Sequence, residues 1–357
     1  MNIPNLMKPS DPRFSCGPTK KPEGWSLDKL NELYLGRYHR SEDVKIYILK
    51  QLERINKILR VPDNFKTFLI PGSCTGATEA VIWSLLGERE ITTIIYDYWG
   101  MNWYEDMKKL DYRIDCRSSL DGSMPNLDKI NSSNDVIFVW TGTTTGMSIN
   151  QIDFLDSRHE GLVISDITSA AFIYDLPWHQ IDVGIFSWQK ALGSESQHGI
   201  VIMSPKAISR LKKRPVPKIF DFLQYNYLIN TPSLLTLSDL EMCLDSYERS
   251  GGLDGNIKNC KQNKLVLDLW VKKNNYLRKF VKEEKHEALT PSYFTFLKKI
   301  DYEFVFKFLI DNNIAYDIKN YRKTNPGIRI WTGPTIKKND LIALTNWLDW
   351  CFNELVG

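Results

Sequence analysis

The sequence predicts an α/β protein in which a mostly parallel seven-stranded sheet lies between helices, with a smaller C-terminal α/β unit behind it. Three observations predict it. Short apolar runs alternate with helical patterns from about residue 65 to 204. Several of these runs are rich in Ile and Val and apolar at consecutive positions, as strands buried on both faces are. After Pro217 long helical stretches take over, and a second, shorter alternation closes the chain.

The strand candidates are 67–70, 92–96, 112–116, 135–141, 161–165, 182–187 and 199–203. Ahead of them a helix is expected, with Ser41 as its cap and Glu42 and Asp43 in its first turn. Val44, Ile48, Leu52, Ile55 and Leu59 form its apolar face, and Pro62 follows its end. His39 and Arg40 therefore fall on a loop just before a helix start. Residues 233–249 and 257–285 read as long helices, separated by Gly251-Gly252. The closing unit reads as strand 293–299, helix 302–312, strand 327–331 and helix 338–355. The expected division is a large domain, 1–255, and a small one, 256–357.

Composition narrows the function class. Basic residues number 46 and acidic ones 43, a net charge of +3, too small an excess to argue for nucleic acid or an anionic membrane. The cysteines (Cys16, Cys74, Cys116, Cys243, Cys260, Cys351) are scattered, so free thiols are expected rather than a disulfide framework or zinc ribbon. The first fifteen residues lack a signal-peptide core, and no apolar run reaches the roughly 18 residues of a membrane span. A cytoplasmic protein is expected.

Five features fall at strand ends or helix starts, where an open α/β sheet gathers its ligand groups. The turn 71–76, Pro-Gly-Ser-Cys-Thr-Gly, leads into a helix and offers backbone N–H groups suited to a phosphate; Ser73 and Thr75 add hydroxyls. Most such turns are only turns. Asp166 follows a buried strand, where an acid is either a helix cap or a ligand group. Lys190 closes Ser187-Trp188-Gln189-Lys190 at another strand end; a lysine there is usually solvated, but one kept dry becomes a nucleophile. The spacing between Asp166 and Lys190 allows one turn and one neighbouring strand, enough to bring both to one pocket. Trp99 is either a packing ring or a platform for a flat ligand. Arg329, alone in an apolar strand, needs a planar anion opposite it, either a substrate carboxylate or a structural acid.

Read together, these residues resemble the phosphoserine aminotransferases, class V members of the fold-type-I enzymes that use pyridoxal 5′-phosphate (PLP). The likeness runs from Phe14-Ser15-Cys16-Gly17-Pro18 to the Arg329 segment. It is most specific at Asp166-Ile167-Thr168-Ser169-Ala170-Ala171-Phe172, Trp188-Gln189-Lys190 and His198-Gly199. The resemblance implies that Lys190 holds PLP as a Schiff base and then shuttles the substrate proton. It implies that Asp166 pairs with the pyridinium nitrogen, that Trp99 stacks on the ring and that Thr143 bonds its phenolic oxygen. Cys74, Thr75 and Gln189 are implied to hold the cofactor phosphate, completed in a homodimer by the partner's copy of the Asn230–Thr231 pair. His39 and Arg40 are implied to face the distal anion of the substrate, with Arg322 nearby, and Arg329 to clamp the α-carboxylate. Many relatives carry an arginine where Thr75 stands, so one cation is missing here.

The implied reaction moves an amino group from glutamate to 3-phosphohydroxypyruvate, with 4-phosphohydroxythreonine as a second substrate of the same shape. Another class V enzyme, such as an alanine–glyoxylate aminotransferase, is the nearest alternative, but its small substrates do not call for His39 and Arg40. A cysteine desulfurase needs a catalytic cysteine on a mobile loop, and no cysteine here has that context. A nucleotide-binding oxidoreductase needs a GxGxxG turn, which 71–76 lacks.

Overall fold

A computed structural model of the chain describes residues 3–211, 215–224, 226–298, 301–322 and 324–354. A seven-stranded sheet forms its centre, built from β1 (Lys66–Pro71), β2 (Ile91–Ile95), β3 (Ile114–Ser118), β4 (Asp135–Val139), β5 (Val163–Asp166), β6 (Val183–Phe186) and β7 (His198–Met203). The spatial order is β1-β7-β6-β5-β4-β2-β3. Strands β3, β2, β4, β5 and β6 run parallel, and β7 runs antiparallel to both β6 and β1. The expected mostly parallel sheet is present.

Its strands alternate between two cores, as a pleated sheet covered on both faces must. Phe138, Ile200 and Ile202 face α1 (Glu42–Ile58) and the C-terminal elements, while Ile137, Val201 and Met203 face α2 (Ser73–Leu85). Helices α3 (Tyr98–Lys108) and α4 (Pro205–Ser209) complete this part. Helices α5 (Leu234–Arg249) and α6 (Gly252–Val271) lead to a three-stranded sheet of order β10-β9-β8, made of β8 (Leu277–Lys279), β9 (Ser292–Phe296) and β10 (Gly327–Ile330). Helices α7 (Tyr302–Asp311) and α8 (Lys338–Glu354) pack with it.

Two expectations are corrected. The stretch 257–285 is not one helix: α6 starts at Gly252 and stops at Val271, and the Asn274 side chain then accepts from the backbone N–H groups of Tyr276 (2.8 Å) and Leu277 (3.0 Å). That turn sends the chain into β8, whose apolar Leu277 registers with Phe296. Ser41 precedes α1 but does not cap it with its side chain; the hydroxyl donates instead to the Tyr38 carbonyl at 2.8 Å. Lys299 and Leu355, the expected ends of two elements, lie outside the described residues. Among the described residues no helix is long and apolar enough to cross a membrane, and no cluster of His, Cys, Asp or Glu could hold a metal ion.

Candidate active site

The sheet brings Asp166 and Lys190 together because β5 and β6 are parallel neighbours whose ends point the same way. Asp166 is the last residue of β5, and Lys190 sits on the turn that leaves β6. That turn is pinned by buried groups: Ser187 Oγ donates to the His198 carbonyl (2.7 Å) and Trp188 Nε1 to the Glu195 carbonyl (2.6 Å). Both reactive side chains line one cavity of about 300 Å³, together with Cys74, Thr75, Trp99, Thr143, Gln189 and Arg329. A larger open groove of about 1050 Å³ runs along the small sheet, but none of these residues lines it.

Lys190 is buried, and its Nζ donates to the Cys16 carbonyl at 2.7 Å and lies 3.3 Å from Thr143 Oγ1. Burial lowers its pKa from 10.5 to about 8; the nearby Arg329 adds to that, and Cys16 and Asp166 oppose it. The shift corresponds to roughly 3 kcal/mol against the charged form, so a usable fraction of free amine exists near neutrality. Gly17 is the reason this packing is possible. Its φ is +141°, and a Cβ there would lie 2.8 Å from both Lys190 Cε and Nζ.

Asp166 is held by the backbone N–H of Thr168 (2.9 Å to Oδ1) and faces Trp103 Nε1 (3.4 Å to Oδ2). Trp103 and Trp99 are one turn apart on α3, with ring centroids 6.1 Å apart, so that helix presents both indoles to the cavity. Asp97 caps α3 through the Gly100 N–H at 2.9 Å. Burial raises the Asp97 carboxyl to about 6, against the Gly100 bond and with the help of Asp166.

The turn into α2 also lines the cavity. Gly72 has φ +87°, and Gly76 packs so closely under the turn that a Cβ would fall 2.0 Å from the Pro71 carbonyl oxygen. Cys74, Thr75 and Ser73 thus sit at a helix N-terminus facing the cavity. Cys74 Sγ accepts from Thr168 Oγ1 at 3.0 Å, and burial pushes its thiol pKa up. Thr143 lies on a turn closed by Gly146 N–H to the Gly142 carbonyl (2.8 Å), and its hydroxyl pairs with Ser169 at 2.5 Å.

Arg329 on β10 has no acidic partner among the described residues; its Nη1 donates to the Thr143 carbonyl at 3.1 Å and its guanidinium lies 5.2 Å over the Tyr321 ring. Its Nε and the Gln189 Oε1 are buried without a hydrogen-bond partner. An arginine N–H left without an acceptor, in a cavity already holding a dry amine, is what an anionic ligand would complete. A dry amine, a carboxylate, two Trp rings and a helix N-terminus on one cavity fit PLP.

Not every expected residue reaches this cavity. Arg322 is exposed at its rim, between the rings of Tyr98 and Tyr321, and bonds Tyr98 Oη. His39, Arg40, Asn230 and Thr231 do not line it; Arg40, Asn230 and Thr231 are exposed, and His39 is buried with Nε2 unpartnered. The sequence reasoning missed Trp103, Asp97, Tyr321 and the role of the Cys16 carbonyl. Only Trp103 left a signal, its helical spacing from Trp99.

This sheet and this cavity define the fold of the PLP-dependent aminotransferases. Among solved structures, the phosphoserine aminotransferase of Bacillus circulans superposes with a TM-score of 0.82 at 17% identity, over 95% of this chain and 98% of its own. The PLP-bound enzyme of Trichomonas vaginalis gives 0.81 at 17% identity, over 95% and 99%. In sequence, the phosphoserine aminotransferases of Methanosarcina mazei and Methanosarcina barkeri are each 36% identical over 97% of this chain and 98% of theirs. The chain belongs to the phosphoserine aminotransferase family. No family profile matches it.

Proposed function

We propose that the chain transfers the amino group of glutamate to 3-phosphohydroxypyruvate, giving 2-oxoglutarate and O-phosphoserine, with PLP as cofactor. 4-Phosphohydroxythreonine has the same distal phosphate and is a second substrate of the same kind. The observation that carries the reading is the convergence on one cavity of the Lys190 amine, the Asp166 carboxylate and the Arg329 guanidinium, whose Nε has no acceptor among the described residues.

When bound, PLP supplies an electron sink for negative charge at the substrate α-carbon. Lys190, partly neutral through burial, holds the cofactor between turnovers and then moves the proton at that carbon. Asp166 keeps the ring nitrogen protonated, Trp99 covers the ring and Thr143 holds its phenolic oxygen. Cys74, Thr75 and Gln189 hold the phosphate, and Arg329 orients the α-carboxylate.

The reading includes a homodimer. Asn230 and Thr231 are exposed and away from this chain's own cavity, which suits a role in a partner's phosphate site. Leu27, Leu33, Tyr38 and Ile46, on either side of His39 and Arg40, are also exposed, an apolar surface that a second copy would cover. His39, Arg40 and Arg322 then meet the distal anion of either substrate. The cofactor-binding domain is residues 1–255 and the small domain 256–357, the second carrying its own three-stranded sheet. The free cysteines suit the cytoplasm.

A coupled assay with 2-oxoglutarate as acceptor tests the substrate assignment. O-Phosphoserine should be used in preference to alanine and aspartate; preference for alanine would overturn it and leave the cofactor reading intact. Arg40→Ala should raise KM for glutamate and phosphoserine by roughly 10- to 100-fold, the loss of one charge-assisted contact, with the absorbance of bound PLP unchanged.

A further inference from the structure

Between Ser10 and Trp25 the chain forms a strap that touches both parts of the molecule and crosses Lys190 on its way. At the outer end Ser10 N and Oγ donate to the Asp340 carboxylate on α8 at 2.7 and 3.1 Å, and the Lys20 ammonium lies 3.7 Å from it. In the middle, the Trp331 N–H donates to the Phe14 carbonyl (3.1 Å), and the Cys16 carbonyl takes the Lys190 amine. Thr19 then brackets the lysine itself: its N–H donates to the Gln189 carbonyl at 3.0 Å and its hydroxyl to the Lys190 carbonyl. Gly193 packs against the strap so tightly that a Cβ would lie 2.2 Å from the Lys20 carbonyl oxygen.

The inner end is fastened by a buried carboxylate, beside an ion pair of Lys21 Nζ with the exposed Glu195 Oε1 at 2.9 Å. Asp239 on α5 is 3% exposed. Its Oδ1 accepts from Lys21 Nζ and Trp25 Nε1 of the strap, both at 2.8 Å. Its Oδ2 accepts from Ser194 Oγ (2.5 Å) and Glu195 N (2.6 Å), in the loop that follows Lys190. One oxygen holds the strap and the other holds the lysine loop.

We propose that Asp239 is a positioning residue for Lys190: its carboxylate ties the strap to the lysine loop and thereby holds the Cys16 carbonyl and the Gly17 backbone against the amine. The amine faces Cys16 from the strap, Arg329 from β10, Asp166 from the end of β5 and Cys74 from α2. Of these, only Cys16 belongs to a segment fastened by Asp239. Loosening the clamp lets water reach the amine and weakens the burial that depresses its basicity. The inference rests on Lys190 as the reactive amine, but not on the identity of cofactor or substrate.

Competitive labelling of the full chain with acetic anhydride, followed by mass spectrometry at Lys190 across pH, measures this directly and needs no cofactor. The wild-type amine should titrate near the value of about 8. Asp239→Asn keeps the shape but offers one acceptor oxygen in place of two, so either Trp25 Nε1 or the loop donors lose their partner, while Lys21 keeps Glu195. The midpoint should then rise by about one pH unit, which slows labelling about ten-fold below both midpoints. Trp25→Phe removes one strap donor and leaves the carboxylate its other partners; it should move the midpoint the same way by a smaller amount, about three-fold in rate. A role in stability alone would lower the melting temperature and leave the midpoint where it is. An unmoved midpoint in folded Asp239→Asn, or in Trp25→Phe should the first variant not fold, overturns the proposal. Absence of PLP absorbance in the wild type would instead strike the functional reading.

Discussion

Lys190→Ala should lower transamination by at least about a thousand-fold and abolish the visible absorbance of bound cofactor. Lys190 is the lone primary amine among the described residues lining the cavity; the other basic side chain there, Arg329, is a delocalised guanidinium and a poor nucleophile. One group therefore carries both the covalent hold and the proton transfer, and general acid–base catalysis alone is worth about 10²–10⁴. The fold should survive. Alanine keeps the Cβ, so the change forfeits the burial of three methylenes, at about 0.8 kcal/mol each, but also relieves the roughly 3 kcal/mol penalty of a buried amine. These offset, so the cofactor-free variant should melt within a few degrees of the wild type. Near-normal activity, or a collapsed melting temperature with retained absorbance, would contradict this role.

Asp166→Asn should lower kcat by about a hundred-fold while KM for either substrate changes no more than about two-fold. The side chain keeps its shape, and one of its two donors, the Thr168 N–H at Oδ1 or the Trp103 Nε1 at Oδ2, keeps an acceptor oxygen. What is lost is the negative charge. An opposite charge in contact shifts a pKa by about 1–3 units, so the pyridine nitrogen would lose its proton near neutrality and the ring much of its pull on electrons. Because that pull acts when charge develops at the α-carbon, the loss belongs in kcat. Steady-state kinetics on both half-reactions check it; a rise in KM with kcat intact would make Asp166 a substrate-binding residue instead.

Much of this site was legible in the sequence because its parts stand at the ends of buried strands. Asp166 and Lys190 each close an apolar run, and β5 and β6 pair directly, so nearness along the chain became nearness in space. The turn 71–76 was legible through Gly72, whose φ of +87° favours glycine, and Gly76, where a Cβ would fall 2.0 Å from the Pro71 carbonyl oxygen. Arg329 was ambiguous between a ligand clamp and a structural ion pair; among the described residues it meets no acid. The strap was not legible. Cys16 acts through its carbonyl, which every residue possesses, and Asp239 reads as an ordinary helix position until its four donors converge from two distant segments. Strand β8 was hidden for a related reason. Three residues carry no periodicity of their own, and only pairing with β9 makes them a strand.

The central claim is that the amine at 190 and the carboxylate at 166 address one flat cofactor from opposite ends. Borohydride reduction of the PLP-loaded protein, followed by peptide mass mapping, tests it most directly. A single phosphopyridoxyl group on the peptide carrying Lys190, absent after Lys190→Ala, is the expected result. The same group on a different lysine, or no stable adduct on a yellow protein, would contradict the account.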